Sequence, residues 1–479
     1  DLGAQVVAGA LDRPEDLLVQ GLPALKWVGN RIPKPCSGER SKILDRCVKV
    51  SMHETLAEAA EGVSCRATMR APELYAKILG IKFPWGVTQV ELDLAQSEVR
   101  VHLANRSSQR MRCPDCNERC PGYDTQERRW RHLDTCQLQT YLIANVPRIN
   151  CPTHGVRQVK VPWAEERSRF TALFEALVID WLKEASITAV AERLGLSWDQ
   201  TDGIMQRAVR RGLERQALRL PVHLSVDEKS FRRGHDYVTI VSDRETKTVV
   251  YVADARTKKE LDTYYEQFTD AQRASVESVA MDMWEPFIAS TRNHIKDAEE
   301  KICFDKFHVA KHLGDAVKAV WRQEHRKLMC VGDERLKGTK FLWLKHPNNI
   351  SEERWRDFAD LRHSSLKTAR AWALKEAAMQ LWSYTRRAWA EKAWQGWYDW
   401  AIRSRLEPIK RVARMVKRHR DGIISAVVRK VTNATAEGLN SVIERIKGTA
   451  RGFRNRERFK NAIYFHLGGL DLYPAGIKR

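Results

Sequence analysis

Between residues 222 and 282, short apolar runs of strand length recur, and two of them end in an aspartate. Val222-His-Leu-Ser-Val-Asp-Glu228 alternates apolar and polar residues before its acids, as a strand does when it carries a carboxylate to the edge of a sheet. Tyr237–Ser242 and Val249–Ala253 follow at hairpin spacing, so three antiparallel strands are predicted. A helix over 258–268 then leads to Val279-Ala-Met-Asp282, a second apolar strand closing in Asp.

This strand order suits an α/β fold of the ribonuclease-H-like kind, a mixed sheet with helices on both faces. Asp227 and Asp282 end neighbouring strands and are placed to face one pair of ions. Cutting and rejoining a phosphodiester needs an activated attacking oxygen and a stabilised leaving oxygen, and two divalent ions held by hard oxygen ligands supply both. A third carboxylate is required. Glu437 opens a predicted helix after a long helical stretch, and Glu444, seven residues on, lies on the same helical face as an alternative. Asp227 as a turn former and Asp282 as a helix cap are the plainer readings of the same residues. Asp305 and His308 lie three residues apart, with His308 either orienting a leaving strand or packing.

Five of the ten cysteines (113, 116, 120, 136 and 151) fall within 39 residues, which argues for a metal rather than disulfides. Cys113-Pro-Asp-Cys116 and Cys151-Pro-Thr-His154 are two knuckles whose two-residue spacers let paired side chains converge on one tetrahedral ion. The predicted ligands of a structural Zn2+ are therefore Cys113, Cys116, Cys151 and His154, with Cys120 and Cys136 as substitutes. Strand-like runs such as Gln137–Val146 lie between the knuckles.

Residues 170–215 read as wholly helical. Ser186–Ser197 followed by Trp198–Arg211 has the form of a helix-turn-helix: Ala191 four residues before Gly195, a turn at Gly195, and Ser197 to cap the second helix. Trp198, Gln200, Thr201, Arg207, Arg210 and Arg211 are then the residues expected to meet DNA. A purely structural helical hairpin is the alternative.

Lys and Arg total 82 against 61 Asp and Glu, a net charge of +21, and such an excess attracts polyanions. The excess is local as well: residues 401–460 hold 17 basic and 5 acidic residues. Arg414, Lys417, Arg418, Arg454 and Arg456 are candidate phosphate contacts there. Nine of the sixteen tryptophans lie between Trp321 and Trp400, at helical intervals that suit a bundle core, with base stacking by one or two of them as the sharper alternative. No run reaches the roughly 18 apolar residues of a membrane span, and no signal peptide opens the sequence, so a cytoplasmic location is expected.

Taken together, Val-Asp-Glu-Lys-Ser-Phe at 226–231, Met-Asp-Met-Trp at 281–284, Asp305-Lys-Phe-His308 and Thr432-Asn-x-x-x-Glu-Gly-x-Asn440 resemble the Asp-Asp-Glu transposases of the ISL-three insertion-sequence family. The likeness runs from about Met69 to the end, in the family's order. Carried over residue by residue, it implies a catalytic triad of Asp227, Asp282 and Glu437 holding two Mg2+ ions, with Mn2+ as an alternative. It implies cleavage of the inverted-repeat ends of an element and their transfer to target double-stranded DNA in a bacterial, nucleoid-associated setting, by a homo-oligomer. It also implies a helical insertion within the 154 residues that separate Asp282 from Glu437.

The expected domains are a zinc-binding region at 69–165, a helix-turn-helix at 166–216, a catalytic core at 217–314, a helical insertion at 315–420 and the end of the core with a basic tail at 421–479. Residues 1–68 read unlike the rest and are expected to be a leader appended before a natural start at Met69. Two rival functions are a DNA-binding regulator that has lost catalysis and another ribonuclease-H-like nuclease.

Overall fold

A computed structural model describes residues 69–107, 111–232, 234, 236–431 and 434–477; the expectation for residues 1–68 lies outside the described residues. After helix α1 (Ala71–Ile78), the chain builds a sheet from β1 (Trp85–Asp93), β2 (Glu98–Asn105), β3 (Gly122–Thr135), β4 (Leu138–Cys151) and β5 (Gly155–Gln158). The order is β1-β2-β4-β3, with β5 added at the end of β4. β1 and β2 form a hairpin reversed at Ser97, whose φ is 54°. Val99, Val101, Leu103, Leu142, Ala144 and Val146 alternate onto one buried face. Trp163 meets Trp85 and Trp130 edge-on, with ring centroids 4.9 and 5.5 Å away.

Three helices follow: α2 (Ala172–Glu184), α3 (Ile187–Leu194) and α4 (Trp198–Arg215). Gly195 takes a φ of +64°, which only glycine adopts at little cost, and this turns α3 into α4. Ser197 and Gln200 form a reciprocal capping box at the start of α4. Val190, Ile204 and Ala208 fill the shared core with Phe174 and Ile179 of α2.

The N-terminal sheet is stitched to these helices. Arg131 N donates to Arg169 O at 2.9 Å, and Thr171 N donates to Arg131 O at 3.0 Å. His132 is buried at the seam, its Nδ1 2.9 Å from Thr171 Oγ1. Burial, helped by the adjacent Arg131 cation, pushes its imidazole down to about 4. The folded protein therefore refuses a proton that the unfolded chain accepts near 6.5. This group's contribution is complete above that value and is lost as pH falls from it toward 4, by about 3 kcal/mol. Thermal unfolding followed from neutral to mildly acidic pH should show the loss, and His132→Asn, which cannot be protonated, should flatten it. An unchanged acid slope in that variant would rule out His132 as its source.

The second sheet contains β6 (His223–Arg232), β7 (Asp236–Asp243), β8 (Thr248–Ala253), β9 (Ser278–Met281) and β10 (Ile302–Phe304), in the order β10-β9-β6-β7-β8. The hairpin strands β6, β7 and β8 are antiparallel, whereas β9 and β10 run parallel to β6. The crossovers carry α5 (Lys258–Tyr265), α6 (Asp270–Ala274), α7 (Glu285–His294) and α8 (Ala298–Lys301). The expected mixed sheet with flanking helices is therefore present, with β10 as a fifth strand too short to stand out in the sequence.

From residue 306 to 428 the regular structure is helical: α9 (Lys306–Cys330), α10 (Lys340–Leu344), α11 (Glu352–Asp357), α12 (Ala359–Arg362), α13 (Lys367–Gln380), α14 (Arg387–Arg403), α15 (Glu407–Arg418) and α16 (Arg420–Val428). These helices share one core with the sheet, in which Val279, Met281 and Phe304 join Val309 and Val317 of α9 and Ile423 of α16. Gly422 permits this packing, since a Cβ there would collide with the Phe304 ring. Seven of the nine clustered tryptophans pack into or against this core, while Trp389 and Trp400 on α14 are exposed. Finally, α17 (Ala434–Thr449) and α18 (Arg456–Leu467) cover the other face of the sheet through Leu439, Ile443, Phe459 and Ile463.

Candidate functional site

Strand register places the acids. The parallel pairing of β6 with β9 ends at Ser225 opposite Ala280, and two residues further the chains reach Asp227 and Asp282. β10 pairs Phe304 with Met281, so the next residue along each strand is Asp305 and Asp282. Three aspartates thus stand in one row across adjacent strands: Asp282 and Asp305 just past the ends of β9 and β10, and Asp227 inside β6, which runs on to Arg232 instead of ending in its acid as expected. Side chains alternate along a strand, so Asp227 points to the same face as Phe231, the face covered by α17.

Each acid has a distinct environment. Asp227 Oδ2 accepts from the Asn440 side-chain amide at 2.7 Å, and Oδ1 accepts from the Glu228 backbone N–H at 2.7 Å. Asp282 Oδ1 is buried with no hydrogen-bond partner, and Oδ2 lies 4.0 Å from His308 Nε2. Asp305 caps α9 by accepting from Phe307 N, and its other oxygen is 3.3 Å from His308 Nδ1. Glu228 turns aside to an ion pair with Arg256 at 2.6 Å. The Arg256 guanidinium sits 4.2 Å from the Trp284 ring centre and 4.6 Å from that of Tyr237.

The electrostatics follow from this crowding. Burial raises the Asp227 carboxyl above the ordinary carboxylate range, and the charge of Asp282 adds to the rise. Burial likewise raises Glu228, with Asp282 and Asp227 adding to it against the pull of Arg256. The Asp305 hydrogen bond raises His308, and the charges of Asp282 and Asp227 act in the same direction. The pocket holds more negative charge than its own cations neutralise, a condition that a bound dication would relieve.

Glu437 stands exposed in the first turn of α17. Asn440 follows one helical turn later and reaches Asp227, so α17 presents its first turns to the carboxylate row. Glu444 is engaged elsewhere, 2.9 Å from Lys229 Nζ and also paired with Lys447. Asn440, Arg256 and Lys229 were assigned no role from sequence. For Asn440 the signal was its spacing of three from Glu437 on one helix.

The four zinc-type ligands converge: the donor atoms of Cys113, Cys116, Cys151 and His154 all lie within 4.8 Å of one another. Separations of 3.7 Å between the Cys116 and Cys151 sulfurs, and 3.8 and 3.6 Å from His154 Nδ1 to those of Cys113 and Cys151, agree with the roughly 3.8 Å edge of a tetrahedron of thiolates around zinc. Cys120 points instead to the Glu118 carbonyl, and Cys136 is exposed beside the β3–β4 turn.

The helix-turn-helix residues divide. Trp198, Gln200 and Arg210 are exposed on α4. Thr201 is fully buried and donates to Ser197 O. Arg207 and Arg211 both turn inward to the buried carboxylate of Glu175, at 2.6 and 3.0 Å, and Arg211 also grips Glu165. Those three are corrected to structural roles, because α4 packs that face on α2. Trp198 lies beneath the Arg458 guanidinium at 4.4 Å.

In the basic tail, Arg456 is committed to Asp236 and the Asp254 carbonyl, and Arg414 to Glu407 at 2.9 Å. Lys417 sits 5.0 Å from the Tyr398 ring centre, and Arg418 and Arg454 are exposed. Among the described residues, no helix is long and apolar enough to cross a membrane.

Comparison with known proteins gives three family matches in succession. Residues 109–154 match a zinc-finger of the transposases of IS204, IS1001, IS1096 and IS1165. Residues 159–209 match the helix-turn-helix domain of transposase family ISL3. Residues 224–463 match a transposase family of the same ISL3 group. Similar proteins include the transposase for insertion sequence element IS1557 from Mycobacterium tuberculosis, in two strains, 28% identical over 84% of this chain and 96% of the relative. The transposase for insertion sequence element IS1001 from Bordetella parapertussis is 25% identical over 73% of this chain and 87% of its own length.

Proposed function

Since the chain belongs to the ISL3 family of insertion-sequence transposases, we propose that it cleaves the ends of such an element and joins them to target DNA. Asp227, Asp282 and Glu437 act as the metal-binding triad on a ribonuclease-H-like sheet, for two Mg2+ ions, with Mn2+ as an alternative. The observation that carries this reading is the row of aspartates on adjacent strands in which Asp282 keeps a buried oxygen without a partner. A hard dication fits such a set, because it satisfies the orphaned oxygen and offsets the mutual repulsion of the acids. Bound there, two ions would activate the attacking oxygen and stabilise the leaving one.

The chain's own residues do the positioning. The Asn440 amide holds one Asp227 oxygen and the Glu228 backbone N–H the other, which fixes the carboxylate plane and leaves the second lone pair of each oxygen for an ion. His308, kept in place by Asp305, stands beside Asp282 and next to the phosphate to be cut. The cysteine and histidine cluster takes a structural Zn2+, since four protein ligands leave no open position for substrate. Trp198, Gln200 and Arg210 of α4 meet the inverted-repeat ends, and Arg418 and Arg454 contact phosphates. Because two ends must be joined, the working form is a homo-oligomer, acting in the bacterial cytoplasm at the nucleoid.

A cleavage assay on labelled element-end DNA tests the third acid. Glu437→Gln is expected to lose at least about a hundredfold in strand cleavage, as removal of a charge-stabilising group does. Glu444→Gln, already paired with two lysines, should stay within a few-fold of wild type. The reverse ranking would move the third ligand to Glu444, and strand-transfer products in the same assay separate a transposase from a plain nuclease.

A further inference from the structure

The seam between the N-terminal sheet and the helix-turn-helix encloses a cleft of about 680 Å3. One wall comes from β3 and the segment leading to α2, and it carries Arg128, Arg129, Arg131, Arg167 and Arg169. The opposite wall is the turn itself, Gly195 and Leu196, with Gln200 from the first turn of α4. We propose that this cleft is a second DNA surface, one that clamps the phosphate backbone of the duplex whose groove α4 reads. The inference rests on the DNA-end-binding reading above and adds to it a site that the α4 face does not contain.

The charge state of the wall argues for a polyanion. Among the described residues, Glu127 is the only acid lining the cleft. Arg131 forms its floor and is used up, donating to the His132 carbonyl at 2.7 Å and pairing with Asp134. Arg129 is laid flat on the Tyr141 ring at 3.4 Å and pairs with Glu98 at 2.7 Å. The remaining three are under-neutralised. Arg128 bonds the neutral Gln158 side chain at 3.0 Å and lies 5.8 Å from the Trp130 ring centre, with no ion pair among the described residues. Arg167 is 92% exposed, with its sequence neighbour Glu166 no closer than 3.8 Å. Arg169 is exposed and makes no ion pair among the described residues. Gathering three such cations in one concavity is unfavourable unless an anion occupies it.

Geometry selects duplex DNA over a small anion. The cleft is not a loose junction, because backbone hydrogen bonds from Arg131 to Arg169 and Thr171 fix its two sources of arginine together. Gln200 lines both the cleft and the start of α4, so a duplex engaged there would pass its flanking phosphates along the arginine wall. Phosphate contacts of this kind set register and orientation, and guanidinium groups grip phosphates bidentately.

The test uses the full chain and a duplex carrying the element's end. Arg167→Gln with Arg169→Gln removes two exposed cations, and a control, Arg354→Gln with Arg356→Gln, removes the same charge from α11. The cleft variant should lose on the order of tenfold in affinity and flatten the slope of log affinity against log salt by about 2. Phosphate-ethylation interference should lose one cluster of positions beside the groove that Gln200→Ala weakens. An unchanged slope and interference pattern, or equal losses in the control, would overturn the cleft while wild-type end recognition stands. If wild type shows no preference for the end over scrambled duplex, the DNA-end reading falls and the cleft falls with it.

Discussion

Asp227→Asn is expected to abolish strand cleavage while leaving the metal-free protein as stable as wild type or more so. Both halves come from one electrostatic fact. Burial and the neighbouring Asp282 raise the Asp227 carboxyl above its ordinary range, so its charged form is disfavoured in the empty pocket. A group whose folded value is raised contributes stability below its unfolded value and loses it as pH rises through the folded one. At neutral pH the ionised Asp227 therefore works against the fold, and a neutral amide of the same shape removes that opposition. The amide can still accept at Oδ1 from the Glu228 N–H, although its NH2 group would then face the Asn440 amide donor.

Catalysis moves the other way. A metal-held reaction takes several kcal/mol of its barrier lowering from the ions, and each 1.36 kcal/mol is tenfold in rate, so a loss of about a thousandfold or more is expected. Two measurements check the pair. Wild-type melting temperature should rise when Mg2+ or Mn2+ is added, and the variant's rise should be smaller or absent. Cleavage of labelled end DNA should fall to background. Equal cleavage by the two proteins would remove Asp227 from the reaction. A variant that melts well below wild type without metal would show that the carboxylate is structural.

The strands that carry the aspartates were legible because a strand announces itself by period, although the end of β6 was not: it runs five residues past Asp227 to Arg232. Asp227 and Asp282 needed only that pattern, and parallel pairing then placed them side by side. The zinc-type ligands were legible for a similar reason: a two-residue spacer is a local geometric statement, and it picked Cys113, Cys116, Cys151 and His154 from six neighbouring donors. What stayed hidden depends on contacts between distant segments. Arg207 and Arg211 look like groove-facing cations on a helix wheel, yet Glu175, 32 and 36 residues earlier, captures both in the interior. The Asn440 bond to Asp227 spans 213 residues, and no pattern within either segment encodes it. The helical insertion expected at 315–420 came from the family resemblance, and no local pattern marks that α9 starts earlier, at Lys306, directly after β10, and shares the apolar interior of the sheet.

Loss of the zinc-type cluster should unfold the N-terminal sheet and strip most DNA affinity, yet leave the second sheet folded. Structural zinc is worth roughly 10 kcal/mol or more in small finger peptides, and a whole domain is stable by only about 5–15 kcal/mol. Here the ion's ligands tie the 113–116 turn to the end of β4, the strand that pairs with β2, β3 and β5. Releasing Cys151 therefore loosens the strand on which the whole sheet depends. A single substitution is a weak test, because three ligands would remain to hold an ion. Cys116→Ser with Cys151→Ser removes two ligands at once. The expected protein carries no zinc and loses the environment of Trp130 and Trp163, which is visible as a red shift in tryptophan emission. Its affinity for duplex DNA should fall more than tenfold, because the arginine wall is built on β3. The core around Val279, Met281 and Phe304 contains no residue of the N-terminal sheet, so a cooperative unfolding transition should survive. Full zinc content in the double variant would discard this ligand set, and undiminished DNA affinity in a zinc-free protein would separate the sheet from DNA binding altogether.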